Sequence, residues 1–155
     1  MNAELLTAQL ASLIEADADY VPALANASAL LNGALEDINW VGFYLMDRGS
    51  LVVGPFQGGP ACVRIPVGKG VCGTAVLEDR TQRVEDVHAF PGHIACDSRS
   101  RSEIVIPIHK DGIVVGVLDI DSPSLSRFDE QDAEDLRRVV GVIEAQVDFS
   151  RLRLA

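Results

Sequence analysis

Three sulfurs and three carboxylates carry the reactive possibilities of this chain. Cys62, Cys72 and Cys96 are its only cysteines. Cys96 sits in a polar, turn-rich stretch, IACDSRSRSE, whereas inert cysteines prefer apolar strands. Arg99, Arg101 and the N–H groups of such a loop would lower its pKa, and Asp97 would oppose them. The residues alone therefore leave Cys96 either a reactive thiol or an inert one. Cys62 follows a Gly-Gly-Pro turn and could swing toward Cys96 as a resolving thiol. Cys72 opens an apolar helix and reads first as core, although a helix N-terminus would also favour its thiolate.

The carboxylates are Glu103, Asp119 and Asp121. They fall at one end of a hairpin, SEIVIPIHKDGIVVGVLDIDSP. A three-residue connection, Lys110–Asp111–Gly112, with Gly112 left-handed, sets His109 opposite Ile113 and Glu103 opposite Asp119, with Asp121 diagonal on the same face. Ile104, Ile106, Ile108, Val114, Leu118 and Ile120 fill the other face. A two- or four-residue turn would break that parity. Acids at strand ends often just meet water. Three that share a face repel one another unless protons or a cationic ligand intervene. A ligand ammonium would serve, as would a carboxylic acid kept protonated to donate to a polar group. Trp40 and Tyr44, on one face of a strand, form either an apolar pocket wall or ordinary core.

Zinc is the competing use of the cysteines, with His88 and His93. Their spacings are irregular, and there is no C-x-x-C or H-E-x-x-H, so no metal is expected. Gly68 to Gly73 matches G-x-G-x-x-G without a strand–helix–strand unit around it, and tight turning before a helix explains the glycines.

The elements that must position these groups follow from periodicity. Leu6, Leu10, Leu13 and Ile14 mark a helix over 3–16. Asp19 caps a second helix, Pro22 fits its first turn, and Leu24, Leu31 and Leu35 form its buried stripe. Residues 39–47 alternate as a strand, with Val41, Phe43 and Leu45 on one face and Trp40, Gly42, Tyr44 and Met46 on the other. A turn at Arg48–Gly49 returns a second strand. A short helix follows Cys72, a brief strand spans 81–87, and 88–101 is a loop. Ser126 to Asp129 reads as a capping box before a long helix, with Arg151 and Arg153 near its end suiting the helix dipole. The expected architecture is α+β: a mostly antiparallel central sheet with N- and C-terminal helices packed on one face. One domain is expected over 1–155, with a helical segment at about 3–36, sheet and site loops at 38–121, and the last helix at about 127–150.

Length and composition fit one domain with a sizeable core: 155 residues, 48% apolar. A net charge of −10 lacks the basic stripe that nucleic acid requires. No apolar run reaches membrane-spanning length and no export signal opens the chain. With an odd cysteine count, this points to a cytoplasmic protein.

Together, NWVGFYL, LVVGPFQGGPACVRIPVGKGVCGTA, DVHAFPGHIACDSRSRSEIV, GVLDIDSP and RFDEQD resemble the free methionine-(R)-sulfoxide reductases, which are built on a GAF domain. The resemblance runs along nearly the whole chain. It implies a single GAF-like domain that reduces free L-methionine-(R)-S-oxide to L-methionine with no bound cofactor. It implies Cys96 as the nucleophile, Cys62 as the resolving cysteine and Cys72 as a third cysteine in alternative disulfides. Glu103, Asp119 and Asp121 would hold the substrate amino group or protonate the sulfoxide oxygen, and Trp40 would enclose the methyl end. Thioredoxin as reductant and a homodimer are further implications. A non-catalytic GAF module that senses a small ligand is the alternative of another class.

Overall fold

Alternation in strands and the 3.6-residue repeat of helices sort the apolar residues onto two surfaces of one sheet. The computed structural model describes residues 1–155. In chain order the elements are α1 (Ala3–Ala16), α2 (Tyr20–Ala34), β1 (Trp40–Asp47), β2 (Ser50–Gly58), β3 (Arg64–Pro66), α3 (Gly70–Glu78), β4 (Gln82–Val84), β5 (Ser102–Lys110), β6 (Ile113–Ser122) and α4 (Glu130–Gln146). The strands form one antiparallel sheet in the order β3-β2-β1-β6-β5-β4. This is α+β, with the terminal helices on one face, as the patterning implies.

That face is hydrocarbon. Val41, Phe43 and Leu45 of β1 join Ile104, Ile106 and Ile108 of β5 and Leu118 and Ile120 of β6 beneath α1, α2 and α4. Leu6, Leu10 and Ile14 of α1 are buried against them, while Leu13, on the flank of the stripe, is 39% exposed. Asn2 Oδ1 caps α1 by accepting the Leu5 N–H at 3.0 Å. Asp19 stands at the N-cap of α2 without a side-chain cap bond; its carboxylate accepts from Arg151 instead, at 2.8 Å. The capping box of α4 is Asp129 with Asp132, not Ser126 with Asp129. Ser126 has a φ of +53°, outside the extended region an N-cap adopts. Because α4 stops at Gln146, Arg151 and Arg153 lie beyond its last turn. They tie the C-terminal tail to Asp19 and Asp47 rather than balance the helix dipole.

The opposite face carries α3, whose Val71, Cys72 and Ala75 pack on Trp40, Tyr44, Val105 and Val117. The glycine run before it closes on itself, Gly68 N–H donating to the Gly73 carbonyl at 2.8 Å. A Cβ at Gly73 would stand 2.5 Å from the Pro66 carbonyl oxygen, so tight turning accounts for that glycine.

The β5–β6 hairpin departs from the expected register and keeps its consequence. The turn has two residues, Asp111 and Gly112, both left-handed, with Lys110 paired to Ile113. Alone, such a turn would move the carboxylates to the wrong face. A bulge between Ile108 and His109 adds one residue on β6 and restores the parity. Glu103 therefore pairs with Asp121, and Asp119 with Val105. The same bulge puts Val115 rather than the expected Val114 into the core.

Candidate functional site

Every sequence-predicted site residue except the arginines and His88 converges beneath α3 and the 87–101 loop. On β1, Trp40 pairs with Asp121 and Tyr44 with Val117, so the two aromatics share a face with the acids of β5 and β6. Their rings stack at 5.9 Å, and Phe56 stacks on Trp40 at 5.1 Å. Their polar tips are used on backbone: Trp40 Nε1–H donates to the Gly59 carbonyl at 3.1 Å, and the Tyr44 hydroxyl donates to the Cys62 carbonyl at 2.8 Å. These bonds hold the segment that carries Cys62. Gly58 (φ +142°) makes room for this, since a Cβ there would lie 2.6 Å from the Trp40 ring.

The 87–101 segment is a compact loop with closed ends. Val87 N–H donates to the Arg101 carbonyl and Arg101 N–H to the Ser122 carbonyl, each at 2.8 Å. It brings Cys96 to Cys62, and the two sulfurs form a disulfide with Cα atoms 5.5 Å apart. Cys72 is a free, buried thiol. With two sulfurs bonded to each other, the zinc set of three cysteines and two histidines is not assembled. His88 is exposed beside Asp86, and His93 lines the cavity.

The cavity is bounded by Trp40, Tyr44, Cys72, Cys96 and the three acids, and its volume is about 40 Å³. That exceeds the roughly 10–15 Å³ a cavity needs on this measure to hold a water. Glu103 and Asp119 are 7% and 5% exposed. One oxygen of each lies within 4.8 Å of the other and of Cys72 Sγ, the set here that could hold a metal ion. Asp119 Oδ1 and Asp121 Oδ1 are buried without hydrogen-bond partners. Orphaned acceptors of this kind are costly, and they mark places where a donor is accommodated.

The protonation pattern follows from burial. Desolvation, then the charge of Asp119, pushes the Glu103 and Asp121 carboxyls well above their ordinary range. Asp119 is raised less decisively: burial lifts it, while the nearness of Glu103, Cys72 and Asp121 favours its ionised form. All three carboxyls are thus shifted toward their protonated forms, Asp119 the least. Burial and the Asp119 charge also push the Cys72 thiol up, so its position at a helix start does not make it a thiolate. Tyr44 is raised by the same causes.

Arg99 and Arg101 do not serve the Cys96 thiol as expected. Arg99 grips Asp97 with Nη2 at 2.9 Å and Nε at 3.2 Å, which holds the Asp97 carboxyl down at about 2. Arg101 is exposed. Two participants escaped the sequence reading. Asn39 Nδ2 donates to Asp97 Oδ2 at 3.0 Å and to Ser100 Oγ at 3.1 Å. An Asn beside the strand that bears Trp40 was the available signal, but its partners lie 58 and 61 residues away.

Known proteins place this geometry. The GAF domain model matches residues 3–147. The chain is 52% identical over 143 residues to free methionine-R-sulfoxide reductase of Escherichia coli, spanning 90% of this chain and 87% of that one. The structure resembles that of fRMsr of Staphylococcus aureus in its reduced form, with a TM-score of 0.91, 59% identity, and 95% and 96% of the two chains covered. The S. aureus complex with substrate gives a TM-score of 0.89 at 58% identity, with the same coverage. This chain belongs to the free methionine-R-sulfoxide reductases, a family built on the GAF domain.

Proposed function

We propose that this chain reduces free L-methionine-(R)-S-oxide to L-methionine through a cysteine sulfenic acid and an intramolecular disulfide. The observation that carries the reading is the Cys62–Cys96 bond closing over a cavity floored by Glu103, Asp119 and Asp121. In the reduced protein the Cys96 thiolate attacks the sulfoxide sulfur while Glu103 or Asp121, held protonated by burial, gives its proton to the departing oxygen. That oxygen passes to Cys96 as a sulfenic acid, and methionine leaves. The Cys62 thiol then attacks the sulfenic sulfur, expelling water and forming the disulfide.

The Asp119 carboxylate, with the orphaned oxygens of Asp119 and Asp121, suits the three N–H donors of the substrate ammonium. Trp40 and Tyr44 wall the methyl end. With Arg99 already held by Asp97, N–H groups of the loop are the donors for the substrate carboxylate. Clamping both termini makes protein-bound methionine sulfoxide a poor substrate. Cys72 lies against the acids and is a reserve thiol for alternative disulfides. With Cys96 bonded to Cys62 no thiolate is left to attack a sulfoxide, so a dithiol of the thioredoxin class must reduce the disulfide before each cycle. A cytoplasmic setting would supply that reductant and keep the resting thiols reduced. A homodimer over a single 1–155 domain completes the reading, supported by the family alone.

The test is turnover of the free R-sulfoxide with thioredoxin, thioredoxin reductase and NADPH. Wild-type protein should consume the R form and spare the S form. Cys96→Ser should yield no methionine. Cys62→Ser, with no added thiol reductant, should yield one methionine per chain and then stall. Full turnover by Cys96→Ser would end the proposal.

A further inference from the structure

Asn39 sits one residue before β1 and makes two side-chain bonds to the loop that carries Cys96. Its Nδ2 donates to Asp97 Oδ2, the residue next to Cys96, and to Ser100 Oγ. Its own N–H donates to the Asp121 carbonyl at 2.9 Å, which fixes it to the central strands. Ser100 is 5% exposed, and its hydroxyl lies near enough to the Asp121 carboxyl to favour that group's ionised form. Asn39 Oδ1 is buried and has no partner. An amide with a buried, unpartnered oxygen is a costly way to fill space, so its two donors are what the position uses.

The consequence is geometric. The base of the 87–101 loop is pinned at Val87 and Arg101, but inside it, apart from the disulfide itself, Cys96 is held only by a local bond, its N–H donating to the Ile94 carbonyl at 3.1 Å. The bonds from Asn39 are the long-range ones, and they grip the residues flanking Cys96 on its C-terminal side. Arg99 stiffens the same point by gripping Asp97 from solvent. On the opposite side of the disulfide, Tyr44 fixes the Cys62 carbonyl. Each sulfur is thereby carried by a segment tied to β1.

We infer that Asn39 is a positioning residue, which holds the Cys96 loop where its sulfur meets Cys62 and the acid-lined cavity. This rests on the reading of Cys96 and Cys62 as the reacting pair. Without the amide donors the loop samples positions away from Cys62, so the effective concentration of one sulfur at the other falls. Closure of the disulfide slows, and the dithiol form gains relative to the disulfide. The loop also supplies the N–H donors for the substrate carboxylate, so kcat falls and KM rises together.

Peroxide tests this without the sulfoxide reaction. Hydrogen peroxide oxidises the Cys96 thiolate to a sulfenic acid and leaves hydroxide; the Cys62 thiol displaces water and the disulfide forms. In fully reduced Asn39→Ala, closure followed by alkylation and mass spectrometry should be about ten- to a hundredfold slower than in wild type, the scale of two lost hydrogen bonds, one to an ionised acceptor. Dimedone should trap the waiting sulfenic acid. Against a glutathione buffer, the equilibrium should shift toward the dithiol by a similar factor. Asn39→Asp sets a carboxylate against Asp97 and should be as slow; Asn39→Asp with Asp97→Asn restores a donor–acceptor pair in reverse polarity and should recover most of the rate. Closure in Asn39→Ala within about twofold of wild type would overturn the inference, even with a lowered melting temperature. Failure of the double exchange to recover would do so too. If wild type closes its disulfide yet leaves the R-sulfoxide untouched, the proposed function fails and the Asn39 test still stands.

Discussion

The two faces of the sheet are built from the same strands and obey opposite rules. Beneath α1, α2 and α4, Phe43, Leu118 and Ile120 are wholly buried among other hydrocarbon side chains. Beneath α3 and the 87–101 loop, residues one step along the same strands are the buried Glu103 and Asp119 and the half-buried Asp121, with orphaned oxygens among them. One face gains stability from every group it buries. The other gives stability up by burying acids and leaving acceptors unpaired. Stability and chemistry are thus separated by the two-residue period of the strand.

Breaking the reactive face should give the largest effects, complete loss of turnover for Cys96→Ser being the extreme. Next is Glu103→Gln, which keeps the shape and removes a proton donor: kcat should fall roughly 10²- to 10⁴-fold, read in steady-state assays with the free R-sulfoxide. The pH profile sharpens this. Because burial raises the Glu103 and Asp121 pKa values, wild-type kcat should decline on the alkaline side as those protons are lost.

Breaking the hydrocarbon face should instead cost stability. Phe43→Ala should lower unfolding free energy by about 3–5 kcal/mol, measured by urea titration, with the pH dependence of any residual activity unchanged. Glu103→Gln should do the reverse. A buried acid whose folded pKa is raised stabilises fully below its unfolded pKa and loses that contribution as pH rises through the folded value. The variant should therefore match wild type near pH 5 and melt higher than wild type at pH 8 to 9, seen by calorimetry.

The smallest effect is expected at the rim. His109 bridges Asp79 after α3 and Glu144 of α4. Burial disfavours its charged form, but these two carboxylates outweigh that and raise its pKa. Its contribution is present below the unfolded histidine pKa and fades as pH climbs through the raised folded value. His109→Gln should cost under about 1 kcal/mol near pH 6, given solvent screening, and nothing near pH 9.

The sequence by itself determined which face the strand residues take, except at the β6 bulge, where Val115 displaces Val114. Val41, Phe43 and Leu45 against Trp40 and Tyr44 follow from alternation alone, and the α1 stripe from helical spacing. The joint placement of the three acids was also legible, although the reasoning behind it missed a two-residue turn and a compensating bulge whose errors in register cancel. Motif resemblance supplied the pairing of Cys62 with Cys96, which no spacing dictates. What only the tertiary structure decided depends on contacts distant in sequence. The helix α3 closes the reactive face, and Asn39 reaches 58 and 61 residues along the chain. Periodicity reports how a residue sits relative to its own element; burial depth, the protonation it enforces and long-range hydrogen bonds exist only once separate elements pack.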